Sequence, residues 1–223
     1  MMKITEVTNS IKVGDFKINR KFLEIKDYKK EKKDPLLQTN LVDIDFSTEN
    51  EISKILKKKI CHVYFFCCDE NIYKIGGSNS SIKSNLKGYY IDQAISGGFS
   101  NSRFFCHLKI YANLKAGKKV TAWVITYNNV DVEVKDLKNK KLYNVGLNAE
   151  ELERICKEQY HKIEKKDPKW NLQEDGRSYP ADVQKLMDSY KSLRAKKKHK
   201  AKVVGANRDL LSHFRRCKNY NLV

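Results

Sequence analysis

The chain lacks any long hydrophobic run and is short of acidic residues. No apolar stretch approaches the about 18 residues that a membrane-spanning helix needs, and the segment 1–12 has no signal-peptide core. We therefore expect no membrane partner. Asp and Glu number 27 against 45 Lys and Arg, a formal net charge of +18. A field of this sign favours polyanions, of which nucleic acid is the commonest.

The six cysteines include no CxxC pair. They lie mostly inside apolar segments, so we expect reduced, buried thiols, as in a cytoplasmic protein. Cys67 and Cys68 are adjacent, and adjacent strand residues point to opposite faces of a sheet. This spacing disfavours a zinc site at the pair. The composition, with 40% hydrophobic and 10% aromatic residues, is sufficient for a folded core.

The segment 62–78 predicts a β-hairpin. Two runs rich in β-branched and aromatic residues, HVYFFCC and IYKIGGS, flank a polar tip at residues 69–71. Tyr64 lies in the first run and Lys74 in the second, so we expect the two side chains to project from paired strands. A phenol and an amine held together can activate water or bind a phosphate.

Periodicity predicts the elements that follow the hairpin. They are a helix at 80–90, an apolar segment at 104–114 that fits a strand or a helix, and a strand at 119–127. The next helix starts after Asn148, with Glu151 placed for a capping box, and extends to about Lys165. Its expected apolar stripe is Leu152, Ile155, Cys156, Tyr160 and Ile163.

Three regions are expected along the chain. Residues 1–59 form an N-terminal extension for DNA binding or dimerisation, and residues 60–172 form the core. Residues 173–223 form a basic helical extension, with a helix from about Pro180, the favoured first helical position.

The order strand, strand, helix, strand, helix, with a Tyr and a Lys-Ile-Gly-Gly-Ser run, resembles the GIY-YIG nuclease superfamily. The branch that it resembles most is the small type II restriction endonucleases. His62-Val63-Tyr64 matches the family's first triplet, and Lys74-Ile75-Gly76 matches the second, where many members have Tyr. The resemblance covers about residues 60–172. It implies an α/β (α+β) fold: a small, mostly antiparallel three-stranded sheet flanked by helices, with N- and C-terminal extensions.

The resemblance also implies a function. It is that of a type II site-specific deoxyribonuclease acting on double-stranded DNA, with one Mg²⁺ or Mn²⁺ per active site and no small-molecule cofactor. A homodimer is expected, because an enzyme that cuts both strands of a palindromic site is best matched to it by two-fold symmetry. The alternatives are a non-catalytic nucleic-acid-binding module with the same fold, and a homing or repair nuclease.

By resemblance, Tyr64 orients or deprotonates the attacking water. Lys74 beside it would favour the phenolate through opposite-charge stabilisation. Tyr89 and Glu153 complete the catalytic set, with Glu153 as the ligand of a hard divalent ion. Two further side chains are candidates for assisting or supporting the site: His107, for which a satisfied core histidine is the favoured interpretation, and Asn171.

The chain departs from the family at the Arg of the helix after the glycines. That slot falls at Ser84 or Asn85, and neither is cationic. Lys83, Lys87 and Arg103 are the candidates to contact the phosphate instead. A lysine lacks the guanidinium fork, so bidentate contact with the phosphate would be lost.

The carboxylate position has two candidates. Counting back from 168–171 by the family spacing indicates Glu158, whereas the helix stripe indicates Glu153. We prefer Glu153, because it lies at the edge of the apolar stripe, where the helix meets the sheet. Glu158 has Arg154 four residues before it and Lys162 four after, a solvated charge ladder.

Overall fold

The structure is a computed structural model, and it divides into two compact units. The residues that it describes are 1–19, 41–87, 100–127, 130–135, 140–145, 148–172, 178–181, 183–185 and 188. The first unit contains 1–16, 44–86 and 119–171, and the second contains 17–43, 87–118 and 172–223.

The described residues form seven strands in two sheets. The strands are β1 Ile11–Ile18, β2 Val42–Phe46, β3 Cys61–Cys68, β4 Asn71–Ser78, β5 Val120–Tyr127, β6 Val130–Lys135 and β7 Lys140–Val145. The main sheet has the order β2-β1-β5-β3-β4, and its β1/β5, β5/β3 and β3/β4 pairs are antiparallel. The strands β6 and β7 form a separate antiparallel ribbon.

The prediction of a three-stranded sheet is wrong in size, although β5, β3 and β4 are the three expected strands. The strands β1 and β2 come from the segment 1–59, which was predicted as an extension, and they enlarge the sheet on the open side of β5. Pairing with β1 satisfies the backbone N–H and C=O groups that an exposed β5 edge would leave open. Val13 and Phe16 of β1 are buried in return.

Four helices have described bounds: α1 Asn50–Lys57, α2 Ile82–Lys87, α3 Asn101–Lys115 and α4 Ala149–Glu164, with a 3₁₀ turn at Ile4–Glu6. Residues 181, 183–185 and 188, in the helix predicted from about Pro180, are also helical. The ambiguous segment 104–114 is helical. It is buried on several sides, which hides the helical period from the sequence. No described helix is long and apolar enough to cross a membrane.

The predicted start of α4 is confirmed, but the capping box is wrong. The Asn148 side chain accepts a hydrogen bond from the Glu150 N–H at 3.0 Å. Glu151 does not return a bond to the cap, because its carboxylate pairs with Arg154. The helix ends at Glu164, and Lys165 follows it in the left-handed conformation.

The face of α4 toward the sheet is narrower than the predicted stripe. Leu152, Cys156 and Tyr160 pack on the core, whereas Ile155 is exposed and Ile163 is 60% exposed. The core between α4 and the sheet consists of Tyr160 from the helix together with Ile4, Val63, Phe65, Cys67, Ile72 and Ile75. All eight residues of β3 are buried, as in a central strand covered on both faces.

The five described cysteines are free thiols, and four of them are buried. Burial raises the pKa of the Cys67 thiol, with a further contribution from Cys68. A thiol with a raised pKa is a weak nucleophile and a weak metal ligand at neutral pH.

The predicted hairpin is confirmed, and its two-residue turn is strained. Asp69 and Glu70 connect β3 to β4 with φ angles of 47° and 68°. Positive φ at both positions is the signature of a type I′ turn, which Asn-Gly normally supplies. The Asp69 carboxylate accepts the N–H of Lys119 at 3.0 Å, a contact that favours Asp at the first position.

Glu70→Gly is expected to stabilise the protein by about 1 kcal/mol relative to Glu70→Ala, because glycine adopts positive φ without a steric penalty. Urea unfolding of both variants measures the difference. An alanine variant as stable as the glycine variant would show that the turn carries no strain.

Candidate active site

Tyr64 lies over Gly76, its partner across the hairpin. The two residues are paired in register, and Tyr64 is 3% exposed. A Cβ at Gly76 would overlap the Cζ and hydroxyl oxygen of Tyr64. Glycine at this position therefore lets the phenol lie flat against the β4 backbone.

Lys74 shares the sheet face of Tyr64. It pairs with Phe66, two residues along β3 from Tyr64, and the rings of Phe66 and Tyr64 are 5.4 Å apart. Side chains two residues apart on a strand project to the same face, so Lys74 and Tyr64 are diagonal neighbours. Lys74 is 6% exposed, so water has little access to the residue.

Glu153 meets the next residue of β4. Its Oε2 accepts the backbone N–H of Gly77, and its Oε1 forms an ion pair with Lys157. A Cβ at Gly77 would overlap the carbonyl oxygen of Ala149 and lie 3.0 Å from the Glu153 Cβ. The glycine therefore allows the first turns of α4 to approach the strand closely.

Asn171 occupies the same edge of β4, two residues from Gly77. Its Oδ1 accepts the N–H of Ile75 at 3.0 Å, and its Nδ2 donates to the Ile75 carbonyl at 2.9 Å. The Trp170 N–H donates to the Tyr73 carbonyl at 2.8 Å. The segment after α4 thus pairs with the edge strand much as another strand would.

The structure separates the two candidate carboxylates. Glu153 contacts β4 and is 18% exposed, whereas Glu158 is exposed and pairs with Arg154. Arg154 also binds Glu151, so these three side chains form a solvated ladder on the outer side of α4. Glu153 therefore lies where the helix meets the sheet, as expected, and its role as the metal ligand stays a prediction.

A buried His62–Asn85 pair was not predicted as part of the site. The Nδ1–H of His62 donates to the Ile60 carbonyl at 2.8 Å, which leaves Nε2 to accept from Asn85 Nδ2 at 3.4 Å. The rings of His62 and Tyr64 are 6.4 Å apart. Burial lowers the pKa of His62, which the bond to Ile60 partly offsets, so the pair is neutral at pH 7.

The pair includes Asn85, one of the two residues at which the resemblance would place an Arg. Asn85 is buried in α2, and Ser84 beside it is exposed. The sequence signal for the pair was a histidine at the start of the apolar run of β3, because a buried imidazole needs a hydrogen-bond partner. Its partner is 23 residues away, and only the packing of α2 brings the two together.

The remaining described site candidates are on α2 and α3. Lys83 is exposed, with its Nζ 5.7 Å from the Phe46 ring centroid. Lys87 and Arg103 belong to the second unit, as does His107, whose Nε2 accepts the Leu41 N–H at 3.2 Å in the manner of a core histidine. The prediction for Tyr89 falls outside the described residues.

Glu153 is the carboxylate that was predicted to bind a metal ion. In the described part of the chain, no group of three or more His, Cys, Asp or Glu side chains is placed to hold one. Both Glu153 oxygens are engaged, yet a carboxylate has about four lone-pair sites and keeps acceptor capacity. Mg²⁺ is commonly bound by one or two carboxylates together with water and substrate phosphates. A metal ion at Glu153 would therefore need most of its ligands from water and a substrate phosphate.

No protein-family model and no curated protein sequence matches the chain. Among solved structures, the chain is similar to the restriction endonuclease HPY188I in complex with product DNA. The TM-score is 0.39 and the sequence identity 15%, and the match covers 75% of this chain and 84% of that chain. A similarity of this size does not establish a shared family or a shared activity.

Asn171→Ala is expected to destabilise the protein by about 2–4 kcal/mol, because it leaves the N–H and C=O of Ile75 without their partner. Asn171→Asp keeps the acceptor for the Ile75 N–H but places a carboxylate oxygen next to the Ile75 carbonyl, and the two oxygens repel. We therefore expect a similar loss of stability. Urea unfolding measures both. A change below about 0.5 kcal/mol in Asn171→Ala would show that the edge contact is dispensable.

The lowered pKa of His62 predicts a loss of stability in acid. The folded state binds the imidazole proton less tightly than the unfolded state does, so the neutral pair stabilises the fold above the ordinary pKa of about 6.5. That stabilisation is lost as the pH falls below 6.5 toward the folded pKa.

The unfolding free energy of wild type should therefore fall more steeply from pH 7.5 to 5.5 than that of His62→Gln. His161→Gln is the matched control, because His161 is exposed. Equal slopes for wild type and His62→Gln would contradict the assignment.

Proposed function

We propose that this protein is an endonuclease that hydrolyses phosphodiester bonds of double-stranded DNA with a divalent metal ion. The observation that carries the proposal is the meeting of a phenol and a carboxylate at adjacent residues of one strand. The Tyr64 ring lies over Gly76, and Glu153 binds the N–H of Gly77. The hairpin and α4, far apart in sequence, thus bring a general-base candidate and a metal-ligand candidate to consecutive residues of β4, one on each face of the strand.

The proposed base is the Tyr64 phenolate, and Lys74 favours its formation. A free phenol has a pKa of about 10, so it is a poor base at neutral pH without help. An ammonium group on the same face in a desolvated environment stabilises the phenolate more than it would in water. This stabilisation of the phenolate would explain a Lys at position 74, where many members of the GIY-YIG superfamily have Tyr.

In the proposed reaction, water attacks phosphorus in line, and its proton passes to Tyr64. The bond from phosphorus to the 3′ oxygen breaks, the 3′ oxygen takes a proton from solvent, and the products carry a 3′ hydroxyl and a 5′ phosphate. A bound divalent ion supplies neutralisation of charge on the phosphate and on the leaving oxygen. Glu153 holds its place through the Gly77 N–H, and Asn171 keeps the strand beneath it fixed.

DNA binding is proposed to rest on the net charge of +18, with Lys83, Lys87 and Arg103 as phosphate contacts. The β6–β7 ribbon, residues 130–135 and 140–145, is the candidate for base readout. The major groove of B-DNA admits a two-stranded ribbon of this kind. We therefore favour the ribbon for groove entry.

Within this proposal, the enzyme is a type II restriction endonuclease of the GIY-YIG type, acting as a homodimer in the cytoplasm. Sequence-specific cutting would give discrete fragments. A methyltransferase reading frame beside this one in the source genome would favour restriction over a homing or repair role.

A non-catalytic DNA-binding module is the second candidate. The neutral His62–Asn85 pair favours it, because a nuclease of this type places a cation on α2. Binding of DNA without cleavage is the outcome that distinguishes this module from the enzyme.

Supercoiled plasmid DNA incubated with the protein and Mg²⁺ or Mn²⁺ tests the proposal. We expect cleavage that falls at least about 100-fold in Tyr64→Phe and in Glu153→Gln. Glu158→Gln is the matched control on the outer side of α4 and should cut at the wild-type rate. Binding of the plasmid without cleavage, in Mg²⁺ and in Mn²⁺, would overturn the nuclease proposal and favour the non-catalytic DNA-binding module.

A further inference from the structure

Four exposed lysines lie at the end of the main sheet where β3 begins and β4 ends. Lys57 is the last residue of α1, and Lys58 and Lys59 continue the chain toward β3. Lys59 forms a backbone bridge with Ser81, and Lys83 follows in the first turn of α2. All four lysines are exposed. We call Lys57, Lys58, Lys59 and Lys83 the basic patch.

The basic patch carries a net positive charge. Among the described residues, no carboxylate forms an ion pair with any of its four lysines, whereas Lys12, Lys119, Lys157 and Lys166 each have an acidic partner. The acidic residue in α1 is Glu51, which lies in the first turn, at the opposite end of the helix from the patch.

The stability of the fold does not explain the patch. The helix dipole favours a cation in the last turn of α1, which accounts for Lys57. Lys58 and Lys59 lie beyond the helix, and ammonium groups that lie close together repel one another. A cluster of like charges that contributes little to folding is expected to serve the binding of a polyanion.

The basic patch adjoins the sheet face that carries Tyr64. Lys59 precedes His62 by three residues, and the His62 ring lies 6.4 Å from the Tyr64 ring on that face. The helix α2, which carries Lys83, reaches the same face, because its Asn85 hydrogen-bonds to His62. A polyanion bound to the patch would therefore pass close to the Tyr64 face.

The surroundings of the patch favour DNA over a membrane. Segments that lie on a membrane surface combine lysines with exposed apolar side chains such as Trp, Phe and Leu. The exposed large hydrophobic residues of the described chain are Met1, Ile155 and Ile163, and none of them belongs to α1 or α2. Phe46, whose ring centroid is 5.7 Å from the Lys83 Nζ, is partly buried.

We infer that the basic patch binds the phosphate backbone of double-stranded DNA and holds the duplex at the Tyr64 face, an inference that rests on the proposed function. Lysines 57–59 belong to the segment 1–59, so this segment takes part in DNA binding. An ammonium group is a point charge on a flexible stem, and contacts of this kind do not depend on base sequence. Each phosphate that a lysine neutralises releases counterions from the duplex, which makes binding dependent on salt.

Three triple variants test the inference. The patch variant removes three charges by Lys57→Gln, Lys58→Gln and Lys59→Gln. The charge-keeping variant has arginine at the same positions: Lys57→Arg, Lys58→Arg and Lys59→Arg. The control removes three charges from exposed lysines at the end of α4 by Lys162→Gln, Lys165→Gln and Lys166→Gln. That end of α4 lies toward the hairpin turn, since Tyr160 donates to the Ile72 carbonyl there.

Fluorescence anisotropy of a short labelled DNA duplex measures the binding constant in EDTA, without cleavage, over a series of KCl concentrations. The logarithm of the binding constant falls with the logarithm of the salt concentration by about 0.9 for each phosphate contact. We therefore expect this slope to be smaller by about 2 to 3 in the patch variant than in wild type. The control and the arginine variant should keep the wild-type slope, and melting curves establish that all three variants are folded.

A wild-type slope in the patch variant overturns the inference, and so does an equal decrease in the patch variant and the control, since net charge would then explain it. Binding to phosphatidylserine vesicles that the patch variant loses, with an unchanged DNA slope, overturns it in favour of a membrane. The plasmid assay tests the nuclease separately. Cleavage with an unchanged slope leaves the nuclease standing without the patch, whereas the predicted slopes without cleavage support the patch and overturn the nuclease.

Discussion

The outer edge of β4 is the constraint on which the site depends. An edge strand exposes backbone N–H and C=O groups that must find partners. Here they bind Met2 at Ile72, Trp170 at Tyr73, Asn171 at Ile75 and Glu153 at Gly77. The need to satisfy one strand edge therefore draws the carboxylate of Glu153 from α4, and the amide of Asn171 from beyond it, to the hairpin that carries Tyr64.

Local sequence signals predicted the elements that form this site. Alternation and turn residues gave the hairpin, Asn148 gave the start of α4, and position on the helix separated Glu153 from Glu158. These features depend on residues within a few positions of one another, and that is the range over which periodicity and capping carry information.

The features that the sequence did not predict depend on distant pairings. The two extra strands join the sheet through β5, about a hundred residues from β1, and no local pattern encodes that choice of partner. The His62–Asn85 pair arises from the packing of α2. The spacing of Lys157 from Glu153 was readable as i,i+4, but only its burial against β4 distinguishes it from the solvated pairs of Arg154.

The central claim is that Glu153 holds a divalent ion at the β4 edge beside Tyr64. Backbone amide spectra of the ¹⁵N-labelled protein, recorded during a titration with Mn²⁺ and a short DNA duplex, test it most directly. We predict paramagnetic broadening centred on the amides of Gly76, Gly77 and Ser78, and its loss in Glu153→Gln. Broadening centred elsewhere, or unchanged in Glu153→Gln, would contradict the account.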